Sequence, residues 1–217
     1  MKLASAALFL LLSFSFAFAQ NEQSPITEKD FAYKDWTYKA IKGDSKTNLR
    51  EFTKGKKLVL VVYWAPWCHN WEHDMEFVKG LNDKYKDKGL AIIGVGEYDT
   101  VDKMRDHVEK NKLAFSLVYE SDNSGAREKT THYSQRREAG DTRKWGSPWY
   151  VFLDPATLEP SGDVLTKKTT VVNGELIRPD AEKYIREKLG LTGTAMAKSD
   201  GIEACDPDKR SATLIKP

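Results

Sequence analysis

The chain is poor in cysteine. Its 217 residues hold only two, Cys68 and Cys205, so at most one intramolecular disulfide can form, and in an oxidising compartment that pairing is one of the uses open to them. Net charge is scarce as well, with 34 basic residues against 32 acidic ones. Such a balance gives no electrostatic footprint for nucleic acid or for an anionic membrane. The basic cluster of Arg136, Arg137, Arg143 and Lys144 is interrupted by Glu138 and Asp141 and reads as a solvated loop. Apolar runs of membrane length are absent after residue 18, and there is no internal repeat of solenoid period. What remains is a polar chain of one-domain size, long enough to bury a core.

The one long apolar stretch, residues 3–18, follows Lys2 and ends in Ala17-Phe18-Ala19 before Gln20. A basic start, an apolar middle and an A-x-A site together describe a cleaved Sec signal peptide over residues 1–19. The stretch falls short of the roughly 20 residues a spanning helix needs. It has no charged stop, and no lipobox cysteine follows. The mature form is therefore expected to be soluble, off the membrane, and periplasmic or secreted. Residues 20–30 read as a mobile N-terminus, 31–190 as one domain, and 191–217, small, polar and punctuated by Pro and Gly, as a flexible tail.

Within the domain, residues 31–38 alternate aromatic and polar side chains like an edge strand, and Gly43-Asp44-Ser45 marks a turn. Residues 58–63 form a continuous apolar, β-branched run, the pattern of a strand buried on both faces. Helical spacing follows through Met75, Val78, Leu81 and Tyr85, with Gly89 as its stop. Residues 90–95 supply a second buried strand, which makes a βαβ unit with parallel strands. A short helix carries Val101, Met104 and Val108, and residues 113–119 are extended. Residues 126–145 are polar and hold an expected insertion, with a helix near 127–133. Residues 149–153 and a strand within 169–172 pair antiparallel. Asp180 is expected to cap a last helix with Ala181, Tyr184, Ile185 and Leu189 facing inward.

The chemistry centres on Tyr63-Trp64-Ala65-Pro66-Trp67-Cys68-His69-Asn70-Trp71. Cys68 sits at a strand-to-helix turn, where free N–H groups and the helix dipole favour thiolate; a small buried hydrophobe is the plain alternative. Residues 55–68, together with Asp35-Trp36-Thr37-Tyr38, Asn48-Leu49-Arg50-Glu51-Phe52 and Gly146-Ser147-Pro148-Trp149, resemble the thioredoxin-like domains of the TlpA/ResA (redoxin) type, a group of extracytoplasmic thiol-disulfide oxidoreductases. The resemblance spans most of residues 31–189. It implies an α/β thioredoxin-like fold, a central mixed sheet flanked by helices with an N-terminal hairpin extension. It also implies that Pro148, preceded by Ser147, is a cis-proline packed against Cys68 and offering backbone groups to an extended substrate. Asp74 matches the position of a family glutamate that trades protons with the cysteines; the alternative is a solvated helix charge. The family's second cysteine is replaced by Trp71.

Without that cysteine a mixed disulfide on Cys68 must be resolved by a substrate thiol, an external thiol reductant, or Cys205. Trp67, His69, Trp71, Ser147 and Pro148 are the candidate substrate-contacting residues, and Trp64, Trp67 and Trp149 are read as the aromatic surface around Cys68. His69 and His73 share a helix face with Cys68 beside them, a soft set that could hold a metal, although the reading adopted has no metal and no cofactor. His107 and His132 are taken as surface or packing residues. A peroxidatic P-x-x-x-T-x-x-C loop would demand Pro and Thr where Tyr63 and Ala65 stand, and is set aside. Two functions follow. One is monothiol exchange with protein or small-molecule thiols and disulfides; the other is a non-enzymatic module that lost turnover and holds a polypeptide or a soft metal.

Overall fold

The computed structural model describes residues 22–191; the readings for the signal peptide and for Cys205 and most of the tail fall outside the described residues. In chain order the strands and helices are β1 (Gln23–Ser24), β2 (Thr27–Lys34), β3 (Thr37–Ala40), β4 (Lys46–Asn48), α1 (Leu49–Thr53), β5 (Leu58–Trp64) and α2 (His69–Tyr85). Then come β6 (Leu90–Gly96), α3 (Val101–Asn111), β7 (Ser116–Tyr119), α4 (Thr131–Glu138), β8 (Trp149–Leu153), β9 (Val164–Val172), β10 (Glu175–Leu176) and α5 (Arg178–Lys188). The main sheet runs β2-β9-β8-β5-β6-β7-β3-β4, and β1 pairs in parallel with β10 apart from it.

Every side chain of β5 is buried, as its unbroken apolar run requires of a central strand. It pairs in parallel with β6, Leu58 opposite Leu90, and antiparallel with β8, Val62 opposite Tyr150. Strand alternation then divides the core into two layers. Leu58, Leu60, Val62 and Trp64 face α2, α3 and α5 with Tyr150 and Phe152 of β8. Val59, Val61 and Tyr63 face the other way, with Trp149, Val151, Phe31 and Tyr33. The central mixed sheet flanked by helices is thus as expected.

The N-terminal segment departs from the reading. Residues 31–38 belong to two strands, and β2 and β3 lie far apart in the strand order. Only two residues lie between Lys34 and Thr37, a reach of about 10 Å, whereas six interstrand steps would put them roughly 29 Å apart in a flat sheet. The sheet must therefore curl, and the second core layer fills its concave side. A latch holds the seam: the Asp35 carboxylate pairs with Arg50 at 2.9 Å, while Arg50 also donates to the carbonyls of Glu159, Gly162 and Val164. The expected hairpin is present as β3 against β4. Residues 20–30 were expected to be mobile, yet from Gln23 onward they supply β1 and the start of β2, because backbone pairing with β10 and β9 outweighs their polar composition.

Two smaller corrections concern ends. The extended stretch expected from residue 113 begins at Ser116, after Lys112 ends α3 in a left-handed conformation. Helix α5 starts two residues before Asp180, with Ile177 at the cap position and Pro179 in the first turn, where proline's missing N–H is no loss.

Candidate active site around Cys68

Cys68 is the N-cap residue of α2 and contributes no side-chain cap. Its backbone is fixed by hydrogen bonds on both sides, from its N–H to the Ala65 carbonyl at 3.0 Å and from the Glu72 N–H to its own carbonyl at 3.1 Å. The thiol is a free cysteine, 7% exposed. Its Sγ donates to the Ser147 carbonyl at 3.1 Å. The Ser147 hydroxyl in turn accepts from the Ala65 N–H at 3.1 Å, so the loop before β8 grips both sides of the cysteine turn. The Ser147–Pro148 peptide bond is cis.

Two arginines build that loop. Arg143 donates to the Pro148 carbonyl at 2.8 Å and pairs with Asp141 at 2.8 Å. Arg136 is fully buried and donates to the carbonyls of Arg143 and Lys144 at 2.8 and 3.1 Å. Gly146 has φ +62°, and a Cβ there would lie 2.4 Å from Arg136 Cδ; only glycine fits beside this guanidinium. The reading of these arginines as a solvated loop is therefore wrong. Alternating charges suggested solvent, but the carbonyls of a tight loop give a buried guanidinium its partners.

The remaining candidates separate. Trp67 is exposed at 43% and stacks edge-on with Trp145 at 5.1 Å. With Tyr98, Asp99, Lys103 and Ser124 they line a depression of about 320 Å³. His69 is almost fully exposed and faces Glu72. Trp71, expected to meet substrate, is wholly buried: its indole N–H donates to His107 Nε2 at 3.1 Å and its ring packs near Trp64. A buried indole finds a partner for its N–H, and here the partner is a histidine. Trp149 also leaves the aromatic surface, since it lies in the other core layer and donates to Asn173. His107 and His132 are buried packing residues, the latter stacked on Tyr63.

Asp74 is fully buried, not a solvated helix charge. Its Oδ2 accepts from the Tyr150 hydroxyl and the Leu176 N–H, both at 2.7 Å. Burial raises its carboxyl above the ordinary range, against these two bonds. Tyr150, which the sequence reading passed over, faces the same core layer as Cys68. Burial, the Asp74 charge and the cysteine all push its hydroxyl up. The signal was available in its alternation along β8 with Trp149 and Val151. Cys68, His69 and His73 do not form a metal set, because His73 turns toward Glu175 at 3.1 Å.

Behind the cysteine turn, the Glu97 N–H donates to the Trp64 carbonyl at 2.9 Å. The Glu97 carboxyl is fully buried, with the Glu120 carboxyl as its neighbour. Burial first, and then repulsion from Glu120, hold its pKa well above 4.5. A carboxyl raised on folding favours the protonated fold, so its cost to stability is absent below about pH 4.5 and grows as pH rises toward the folded value. Glu97→Gln is accordingly expected to melt higher than the parent at pH 8, with the gap closing toward pH 4.5. Thermal melts across that range check this, and a gap independent of pH would contradict it.

Comparison with known proteins agrees with this geometry. Residues 29–144 match the model of the AhpC/TSA family. The thiol-disulfide oxidoreductase ResA of Bacillus thuringiensis subsp. konkukian is 33% identical over 73 residues, 34% of this chain and 41% of that protein. The thioredoxin-like protein YneN of Bacillus subtilis is 34% identical over 86 residues, 40% of this chain and 45% of that protein. The chain thus spans less than half the length of these curated relatives. Two Chlorobium tepidum structures share the fold. One, a thioredoxin family thiol:disulfide interchange protein, has a TM-score of 0.53 at 14% identity, over 75% of this chain and 98% of that one. The other, a putative thiol:disulfide interchange protein DsbE, has a TM-score of 0.52 at 18% identity with the same coverage. Matched over more than half its length by the family model, the chain belongs to the AhpC/TSA family, and its fold is thioredoxin-like.

Proposed function

We propose that this protein is exported and performs thiol-disulfide exchange through the single thiol of Cys68. The observation that carries the reading is the placement of Sγ at the N-cap position of α2, against the Ser147 carbonyl of the cis-proline loop. Exchange proceeds through the thiolate form of a cysteine. The thiolate attacks one sulfur of a substrate disulfide, that S–S bond breaks, and the second substrate sulfur leaves as thiolate. The result is a mixed disulfide on Cys68. Trp71 cannot resolve it. A substrate thiol, an external thiol reductant or Cys205 attacks the mixed disulfide as thiolate, forms a new disulfide and releases Cys68.

Ser147 and Pro148 form the wall against which an extended substrate lies, and Trp67 offers the exposed ring beside it. His69 adds a dipolar, ionisable group at the rim. Asp74 acts on the site through Tyr150, whose hydroxyl it holds.

The test is an intact-mass measurement on folded protein incubated with oxidised glutathione. One glutathione adduct on Cys68, removed by added thiol and missing from Cys68→Ser, is expected. In Cys205→Ala the adduct should accumulate if Cys205 is the resolving thiol. A Cys68 that forms an adduct only after unfolding would overturn exchange and leave the non-enzymatic binding module as the function.

A further inference from the structure

Directly behind the cysteine helix turn, α2 and β10 bring together three groups that the exchange reaction does not need as a set. His73 Nδ1 lies 3.1 Å from Glu175 Oε2 and 3.9 Å from Asp74 Oδ1. One ligand atom from each of the three residues lies within 4.8 Å of the others. We propose that His73, Asp74 and Glu175 bind one divalent first-row cation through one imidazole nitrogen and two carboxylate oxygens.

Three observations support this beyond proximity. First, Asp74 is fully buried, and among the described residues its Oδ1, on the His73 side, has no hydrogen-bond partner. Glu175 is also buried, and its Oε2, 3.1 Å from His73 Nδ1, has no hydrogen-bond partner among the described residues. Two buried carboxylates face one imidazole, with Arg178 the other cation acting on Asp74, and a dication placed between them would bind both carboxylates directly. Second, the spacing suits such an ion. Bonds of about 2.0–2.2 Å from zinc to nitrogen and oxygen imply ligand atoms roughly 3.3–3.6 Å apart in a tetrahedron; the two separations from His73 Nδ1, 3.1 and 3.9 Å, bracket that range, and the whole set lies within 4.8 Å.

Third, the outer contacts are those that orient metal ligands. The second oxygen of Asp74 is fixed by Tyr150 and by the N–H of Leu176, the residue after Glu175. The Glu175 N–H is held by the Glu22 carbonyl at 3.0 Å. Groups that fix the far side of a ligand hold its donor atom in place before the ion arrives. His73 is half exposed and opens the site to solvent. One imidazole and two carboxylates suit zinc or another borderline divalent ion better than a soft one.

The site does not depend on Cys68 reactivity, so it can be tested without it. The probe is Zn²⁺, titrated calorimetrically into the full mature chain carrying Cys68→Ser and Cys205→Ser, so that no thiolate competes. One zinc per chain is expected. Glu175→Gln and Asp74→Asn should each weaken it at least tenfold, and Tyr150→Phe about tenfold through the lost outer contact. His69→Asn should leave it unchanged. Because changes at buried positions can unfold the chain, His73→Asn at the exposed rim provides a second test, with circular dichroism as the fold control. Co²⁺ bound to the parent should show visible d–d bands without a sulfur-to-cobalt band. No binding to the cysteine-free chain, binding untouched by His73→Asn, loss on His69→Asn, or a sulfur band would each overturn the site.

Discussion

Trp71→Cys is expected to lower the thermal midpoint by roughly 10 °C, in proportion to a loss of about 4 kcal/mol. The residue to be replaced is among the largest fully buried side chains. Removing most of an indole from a closed core leaves a void that neighbours fill only in part. The change also strips His107 Nε2 of its donor and Trp64 of one of its two aromatic neighbours, the other being His107. Burial holds His107 toward the neutral form, which is the form able to accept that bond. Restoring the dithiol motif is therefore a trade between chemistry and packing. The variant should form an intramotif disulfide and reduce a model disulfide faster than the parent below its melting point. Adding His107→Leu should recover part of the lost stability by removing the orphaned nitrogen. A single variant melting within about 2 °C of the parent would show that Trp71 contributes little packing.

Arg136→Met should destabilise the chain by about 3 kcal/mol and loosen the wall of the cysteine groove. The side chain is fully buried, spans two loop carbonyls, packs over Tyr133 and passes beside Gly146. Methionine keeps much of the volume but leaves the carbonyls of Arg143 and Lys144 without their donor, a penalty characteristic of unsatisfied buried groups. Asp141 keeps Arg143 as partner, which sets the loss at the low end for a broken buried pair. Denaturant unfolding measures the first effect, and the rate of Cys68 alkylation, expected to rise as Ser147 shifts away, measures the second. A stable variant with unchanged alkylation would show that Arg143 alone holds the loop.

The contrast between what the chain announced and what it concealed has a physical pattern. Local periodicity carried β5, α2, β6, β8 and β9, since each buries a face whose spacing is written in consecutive residues. The cysteine turn and the Ser147-Pro148 loop were legible as motifs, although 79 residues separate the atoms that touch. Concealed were the groups whose burial depends on distant partners. Asp74 looked like one more charge among Glu72, His73 and Glu76, because its partners, Tyr150 and Leu176, lie 76 and 102 residues away. Arg136 and Arg143 read as solvent-facing because composition does not reveal which carbonyls a loop will turn inward. Trp71, read as standing where the family has its second cysteine, turns its side chain into the core to His107, which no local spacing could indicate.

The seam of the curled sheet has a consequence for the order in which the molecule is made. Strand β2 is an early part of the chain to be synthesised, yet its partner β9 lies far along it; the Thr169 hydroxyl reaches the Phe31 carbonyl across 138 residues. Pairings of such separation close slowly because a long loop must be ordered first. A nascent chain cannot complete this sheet until residues near 171 have left the ribosome. Until then β2 has no ladder, and the second core layer has no wall on that side. The last wall of the core is therefore supplied by a late part of the chain, and completion of the fold waits on the end of synthesis.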